Sequence, residues 1–172
     1  MGYPCDANAV TGRVFTDDRG PEQPFSVMVP ELPGWKRTEV PGVDSPRGLT
    51  IQRRDQLPDV FHSPTATITV NPLGPTPTVE DAVEAMRRMV QATPGWRTQD
   101  DQKITVCGQG GGKVTGVFPL AQVEWWQDYR LVVCACNGAI HPVLLVGRTS
   151  VADLGRLVAD IAIILNGVQI VA

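Results

Sequence analysis

The stretch of sequence that decides the fold is residues 123–146, VEWWQDYRLVVCACNGAIHPVLLV. It contains Asn137-Gly138, the dipeptide that most strongly indicates a two-residue hairpin turn, because that turn needs positive φ at both positions. The flanking residues, 123–136 and 139–146, are rich in apolar and β-branched side chains, which favour strands. We therefore predict a long antiparallel hairpin and a sheet that is built on it.

Strand signals continue towards the N-terminus. Five shorter segments have strand-like composition: residues 25–29, 49–52, 66–70, 104–107 and 113–118. The first three alternate apolar and polar residues, which is the period of a strand with one buried face. Of the 15 prolines, 12 lie at or before Pro77, so this half is predicted to consist of short strands and turns.

Two amphipathic helices complete the pattern. Thr78 provides an N-cap hydroxyl with Asp81 three residues later, and apolar residues then recur at helical spacing as far as Val90. A second helix is predicted to open at Ser150. The order of strands, helix, strands and helix predicts an α+β fold with helices packed on an antiparallel sheet. We treat residues 1–172 as a single domain, with 1–20 as an irregular N-terminal segment.

Charge and hydropathy argue against a nucleic-acid partner and against a transmembrane segment. The 172 residues carry 15 Lys and Arg against 18 Asp and Glu, a net charge of −3, which argues against a nucleic-acid partner. No apolar run approaches the roughly 18 residues that a transmembrane segment needs. The N-terminal MGYPCDANAV has no basic region followed by an apolar one, so we expect no signal segment in this chain.

The four cysteines point to an oxidising compartment. Cys5, Cys107, Cys134 and Cys136 lack the spacing of a zinc or redox motif, and their even number suits two disulfides. Cys134 and Cys136 would point to the same face of a strand, which favours Cys5 and Cys107 as their partners. The three possible connectivities stay open, as does the alternative that all four are reduced thiols.

No motif predicts catalysis or a cofactor. The glycine run at 108–112 fails as a phosphate-binding loop, since position 107 is Cys and Val114 follows Lys113; we interpret the run as a flexible connection between strands. His62 and His141 have no neighbours at metal-ligand spacing. The acidic doublets Asp17-Asp18 and Asp100-Asp101 are interpreted as solvated turn residues. We predict a non-enzyme; a hydrolase would need a Ser or Cys within hydrogen-bond reach of a histidine.

Trp125-Trp126 is the most informative pair in the hairpin. In a regular strand, successive side chains alternate between faces, so the two tryptophans point in opposite directions. Trp126 then shares a face with Glu124, Asp128 and Arg130, a pattern typical of a solvent-facing surface. A large aromatic there is either covered by a helix or loop or contacts a ligand. Trp126 and Arg130 are the residues that we name as candidate ligand contacts.

The chain resembles the LpqN/LpqT family of actinobacterial, chiefly mycobacterial, cell-envelope lipoproteins and their secreted relatives. The resemblance covers roughly residues 20–168. It lies in the order of the segments FSVMV (25–29), LPGW (32–35), ATITVNPLGP (66–75), PGW (94–96), ITVCGQ (104–109) and VTGVF (114–118), followed by the tryptophan-rich strand. It implies an α/β/α sandwich like that of the photosystem protein PsbP, with helices on both faces of a central antiparallel sheet.

The resemblance also implies function. Family members are thought to act by binding, as accessory proteins for envelope lipids and their transporters and as factors at the host surface. We therefore expect a non-catalytic binding protein outside the cytoplasm, whose ligand is an amphipathic lipid such as an acylated glycolipid. The alternative is an adaptor for an extracytoplasmic transporter or a host protein, without a small-molecule site. Because Cys5 follows Gly2-Tyr3-Pro4, which is not a lipobox, we expect an unanchored, secreted form.

Overall fold

The fold is taken from a computed structural model, which describes residues 13–17, 23, 25–38, 48–54, 63–72, 78–106, 109–136 and 138–171. The strands are β1 (Val14–Thr16), β2 (Ser26–Pro30), β3 (Trp35–Arg37), β4 (Gly48–Arg53), β5 (Thr65–Val70), β6 (Arg97–Val106), β7 (Gln109–Leu120), β8 (Val123–Cys136), β9 (Ala139–Ser150) and β10 (Gln169–Val171). The α-helices are α1 (Val79–Gln91) and α2 (Leu154–Asn166), and a 3₁₀ turn, Val151–Asp153, leads into α2.

A seven-stranded antiparallel sheet dominates the fold. Its strand order is β3-β4-β5-β9-β8-β7-β6, so the predicted β8–β9 hairpin lies within the sheet, with strands on both sides of it. The hairpin pairs from Cys136 opposite Ala139 to Trp125 opposite Ser150. The hairpin prediction is confirmed, and the returning strand is four residues longer than the 139–146 that its apolar pattern predicted.

One helix covers each face of this sheet. On the first face, α1 packs on β7, β8 and β9 over a core that includes Met86, Val114 and Leu131. On the second face lie α2 and a small sheet of order β1-β2-β10, over a larger core that includes Phe25, Trp126 and Ile161. We call these the α1 face and the α2 face. The layered arrangement confirms the predicted PsbP-like α+β sandwich, to which the three-stranded sheet is an addition.

Both predicted helix starts are capped as their sequences indicate. The Thr78 hydroxyl accepts a hydrogen bond from the Asp81 amide at 3.1 Å, at the N-terminus of α1. The Ser150 hydroxyl accepts from the Asp153 amide at 3.2 Å, where it begins the 3₁₀ turn rather than the α-helix itself. Each cap satisfies an amide that the helix leaves without a partner.

Two predictions about irregular segments are wrong. The strand β1 falls inside the 1–20 segment that was predicted to be irregular, because β2 supplies its hydrogen-bonding partners. Gly110, Gly111 and Gly112 lie in β7, paired with Thr105, Ile104 and Lys103, and are not a connection. Their lack of side chains has a packing role, since a Cβ on Gly112 would lie 2.7 Å from Cγ1 of Val83 in α1.

Candidate functional site

Trp126 and Arg130, the sequence-predicted ligand contacts, both lie on the α2 face. Each side chain is 7% exposed, and Trp126 belongs to the larger core. The Trp126 ring is thus covered by other parts of the fold, which is one of the two alternatives that the sequence left open. Whether either residue contacts a ligand stays a prediction.

The polar pattern beside Trp126 is an internal ion pair and not a solvent-facing surface. Asp128 and Arg130 are 3% and 7% exposed, and Arg130 Nη2 donates to Asp128 Oδ2 at 3.0 Å. Arg130 also donates to the side-chain oxygen of Asn166, the last residue of α2. Buried charges are tolerated when they are paired and hydrogen-bonded in this way. The alternation correctly predicted which face these residues share, but not that a helix covers it.

Cys134 and His141 are cross-strand neighbours. They are opposite each other in the β8–β9 register, which places a thiol next to an imidazole. Cys134 is 4% exposed within the larger core, surroundings that disfavour the reactive thiolate. Burial lowers the pKa of His141, and its Nδ1 lies 3.4 Å from Asn71 Nδ2. This pair lacks the solvent access that a nucleophilic cysteine requires.

The other disulfide candidates and His62 cannot be placed. Cys5, Cys107 and the Cys136 side chain lie outside the described residues, as does His62. The predicted disulfides therefore stay predictions.

The acidic doublets were predicted to be solvated turn residues; Asp100 and Asp101 are exposed as predicted but lie in a strand, whereas Asp17 is buried. Asp17 is 6% exposed, and its carboxylate accepts hydrogen bonds from the Val27 amide at 2.8 Å and from Gln23 at 2.7 Å. Asp100 and Asp101 lie in β6. Asp101 makes a bidentate ion pair with Arg87 of α1, which raises the pKa of that guanidinium. Asp17 and Asp101 thus connect separate parts of the fold. Asp18 lies outside the described residues.

A cleft of about 540 Å³ opens between the first half of α1 and the β6–β7 hairpin. Val79 and Val83 of α1 give it an apolar lining; Ile104 of β6 also borders it, but its side chain packs against the core of the α2 face. The space exists because position 110 has no side chain: a Cβ there would meet only Val79 Cγ1, at 4.0 Å. Its volume lies within the range of about 300–1,000 Å³ that small-molecule sites occupy. We refer to it as the α1 cleft.

Both signs of charge surround the α1 cleft. Glu80 and Glu84 on α1 contribute acceptors, and Lys103 on β6 contributes a donor. Arg87 also lines the cleft, but its charge is already paired with Asp101 at 2.8 Å. An apolar interior with a mixed polar rim suits a molecule that has an acyl chain and an uncharged, hydroxyl-rich head group.

The sequence did not predict this cleft. Val79 and Val83 fit the apolar stripe of a helix, and that stripe normally indicates core packing. The glycine run was the available signal, since glycine inside a strand marks a site of close approach or open space. Recognising that signal requires knowing that the run lies in a strand and that α1 crosses over it.

Two searches of the described residues bear on other kinds of site. They contain no group of three or more His, Cys, Asp or Glu side chains that could hold a metal ion. Among the same residues, no helix is both long and apolar enough to span a bilayer.

The fold is shared with solved structures at low sequence identity. LpqN of Mycobacterium tuberculosis, described as involved in cell envelope biogenesis, superposes with a TM-score of 0.69 at 15% identity, covering 93% of this chain and 91% of that one. Cyanobacterial PsbP (CyanoP) of Synechocystis sp. PCC 6803 superposes at 0.53 and 11% identity, covering 96% of each chain. No family model matches the sequence, and no curated protein does either. The resemblance is thus confirmed for the fold, while membership of the LpqN/LpqT family stays a prediction.

Proposed function

We propose that this protein is a non-catalytic binding protein of the cell envelope, or a secreted one, and that it takes an acylated sugar into the α1 cleft. The α1 cleft is the observation that carries the proposal. Each methylene of an acyl chain removed from water by Val79 and Val83 would contribute about 0.8 kcal/mol. The glutamates and Lys103 at the rim would hydrogen-bond the sugar hydroxyls.

The rim chemistry supports an uncharged head group over an anionic one. Three acidic side chains, Glu80, Asp81 and Glu84, line the cleft, against Arg87 and Lys103. Since Arg87 is neutralised by Asp101, an anion there would meet more acidic than available basic charge. The shared fold with LpqN, described as an envelope-biogenesis protein, is compatible with this proposal.

The first experiment fills the cleft. Gly110→Leu places a branched side chain where a Cβ meets only Val79 Cγ1, at 4.0 Å. Gly155→Leu is the matched control, since a Cβ at Gly155 on α2 has nothing within 4 Å. Octanoyl-trehalose is titrated into each protein by isothermal calorimetry, with unacylated trehalose as the second probe. We expect Gly110→Leu to weaken binding at least tenfold and Gly155→Leu to leave it unchanged.

Two results would count against the cleft. Binding of octanoyl-trehalose with equal affinity to Gly110→Leu and to the unmodified protein would place the ligand elsewhere. An absence of binding to the unmodified protein would favour the adaptor alternative. For that alternative, the chain offers an open groove of about 520 Å³ lined by Phe15, Leu32 and Trp35, with Arg13 and Lys36 also lining it.

A further inference from the structure

Arg148, a half-buried residue on the α1 face of β9, has no carboxylate partner among the described residues. Its guanidinium carbon lies 4.2 Å from the centroid of the Trp125 ring and 5.6 Å from that of Phe118, both cation–π distances. Its Nε is buried and has no hydrogen-bond partner. Burial lowers the pKa of the side chain, and the nearby Tyr129 opposes that shift. The group is therefore a partly desolvated cation that lies over aromatic rings and that no anionic side chain in the described part of the chain neutralises.

Within the described residues, no carboxylate shares this face with Arg148 on its own strand or on the two strands to either side of it. In the register, the face is formed by alternate residues of each strand, and Arg148 lies opposite Gln127 of β8 and Thr65 of β5. The alternate positions of β4, β5, β7, β8 and β9 that share the face with Arg148 contain no Asp or Glu within the described ranges. Arg130 on the opposite face differs in this respect, since Asp128 pairs with it at 3.0 Å.

The neighbours of Arg148 supply further polar groups. Gln127 Oε1 is buried without a hydrogen-bond partner, directly across from Arg148. On the other side, Thr65 and Thr67 are half-buried and share the α1 face. The threonine hydroxyls and the guanidinium can donate hydrogen bonds to an oxyanion, whereas Gln127 Oε1 only accepts and is not one of the proposed contacts.

The aromatic stack also fixes the orientation of the guanidinium. Trp96 extends the ring cluster, 6.3 Å from Phe118 and 5.7 Å from Tyr129 between centroids. A guanidinium that lies over aromatic rings can still donate to carboxylate and phosphate oxygens from its planar edge, and because Arg148 Nε is buried, the proposed contacts use the two Nη groups. The side chain is half-buried, so part of it stays in contact with solvent. A guanidinium that is already immobilised loses less entropy on binding than a mobile surface arginine.

We propose that Arg148, stacked on Trp125 and Phe118, is the anchor of an anion-binding site for a phosphate or carboxylate group on the α1 face. The anion would accept hydrogen bonds from Arg148 and from the Thr65 hydroxyl. It would supply a counter-charge for Arg148, since Asp101 of β6, which shares this face, is already paired with Arg87. The proposal goes beyond the acylated-sugar function and does not depend on the α1 cleft, because its ligand is defined by charge and needs no acyl chain.

The experiment follows the Arg148 Nε–H resonance by NMR while inorganic phosphate is titrated into ¹⁵N-labelled protein. The resonance is assigned from its loss in Arg148→Lys. We expect a saturable shift of this signal and of the backbone amide signals of Thr65 and Gln127; the amide signals also measure binding in variants that lack Arg148, and Arg148→Gln should bind phosphate at least tenfold more weakly. Arg156→Gln is the matched control, because Arg156 is exposed on the opposite side and the change in net charge is the same. Its phosphate affinity should be unchanged.

A second arm distinguishes the source of the anion. Dihexanoyl phosphatidic acid, used below its micellar concentration, carries the same phosphate on a lipid. Binding at least tenfold tighter than that of inorganic phosphate would assign the site to a lipid head group, and equal affinity would assign it to a free small anion.

The proposal is overturned if neither probe shifts the Arg148 resonance, or if Arg148→Gln binds phosphate as well as the unmodified protein does. If Arg148→Gln fails to fold, Arg148→Lys serves instead, because it keeps the positive charge and removes the planar guanidinium. Unchanged phosphate binding by Arg148→Lys would also overturn the proposal. A negative result here leaves the octanoyl-trehalose experiment unaffected, since that probe is uncharged.

Discussion

Arg130 and Arg148 lie on neighbouring strands and on opposite faces of the same sheet. Arg130 is neutralised by Asp128 and hydrogen-bonded to Asn166, while Arg148 rests on Trp125 without an acidic partner among the described residues. Alternation along β8 was enough to place Trp126, Asp128 and Arg130 on one face. It could not predict their burial, because the side chain that covers Arg130 belongs to α2, which is distant in sequence. The local sequence pattern also could not predict that Arg148 has no acidic neighbour on its face, because that face is formed by residues of five strands.

The buried pair yields a prediction at this scale. Asp128→Leu leaves Arg130 buried without its counter-charge and is expected to lower the free energy of unfolding by about 3–5 kcal/mol. The double variant Asp128→Leu/Arg130→Met removes both charges and should recover most of that loss, because an apolar pair avoids the desolvation cost. Urea denaturation of both variants measures the difference. A single variant that unfolds at the same urea concentration as Arg156→Gln would contradict the assignment of a buried ion pair.

At the scale of elements, the position of α1 depends on glycines in the strand beneath it. The bounds of α1 were predictable because its cap, Thr78, and its apolar stripe are local signals. The role of Gly110 and Gly112 was not, because it is defined by the helix that crosses over them. Gly112 lies directly under Val83, whereas Gly110 faces open space beside Val79. The same residue type thus permits close packing at one position and forms a cleft two residues earlier.

This difference predicts opposite effects of the same substitution in one strand. Gly112→Ala puts a Cβ 2.7 Å from Val83 Cγ1 and is expected to cost about 1–3 kcal/mol through overpacking. Gly110→Ala meets Val79 at 4.0 Å and should cost nothing, or stabilise by up to about 1 kcal/mol, because alanine restricts the unfolded chain. Urea denaturation midpoints measure both effects.

A second-site change tests the cause. If overpacking is responsible, Val83→Ala should recover part of the loss in Gly112→Ala, because it removes the methyl groups that the new Cβ meets. Equal stabilities for the two alanine variants would show that α1 does not approach Gly112 closely in solution.

At the scale of the whole molecule, α2 and the small sheet contact the large sheet through different residues. Asp160 of α2 accepts hydrogen bonds from Trp35 of β3 at 3.0 Å and from Arg53 of β4 at 3.1 Å. Near the N-terminal end of β9, the ring of His141 makes an edge-to-face contact with the ring of Phe25, which precedes β2; the ring centroids are 5.6 Å apart. The strand signals in the sequence predicted the layers but not the small sheet. The pairing of β1 and β10 with β2 joins distant parts of the chain.

The His141 contact makes the stability of this assembly depend on pH. Burial lowers the pKa of His141 below its ordinary value of 6.5, so the folded state favours the neutral ring, and an unprotonated Nδ1 can accept from Asn71. The unfolded chain then binds more protons than the folded one as the pH falls through about 6.5. Stability must decrease over that window and level off below the folded pKa. We expect the stability advantage of the unmodified protein over His141→Gln to be constant above about pH 7.5 and to shrink as the pH falls below 6.5. Urea denaturation of both proteins between pH 5 and pH 8 measures this difference. An advantage that grows on acidification would mean that a partner raises the pKa of His141 and that the ring between the two sheets is charged.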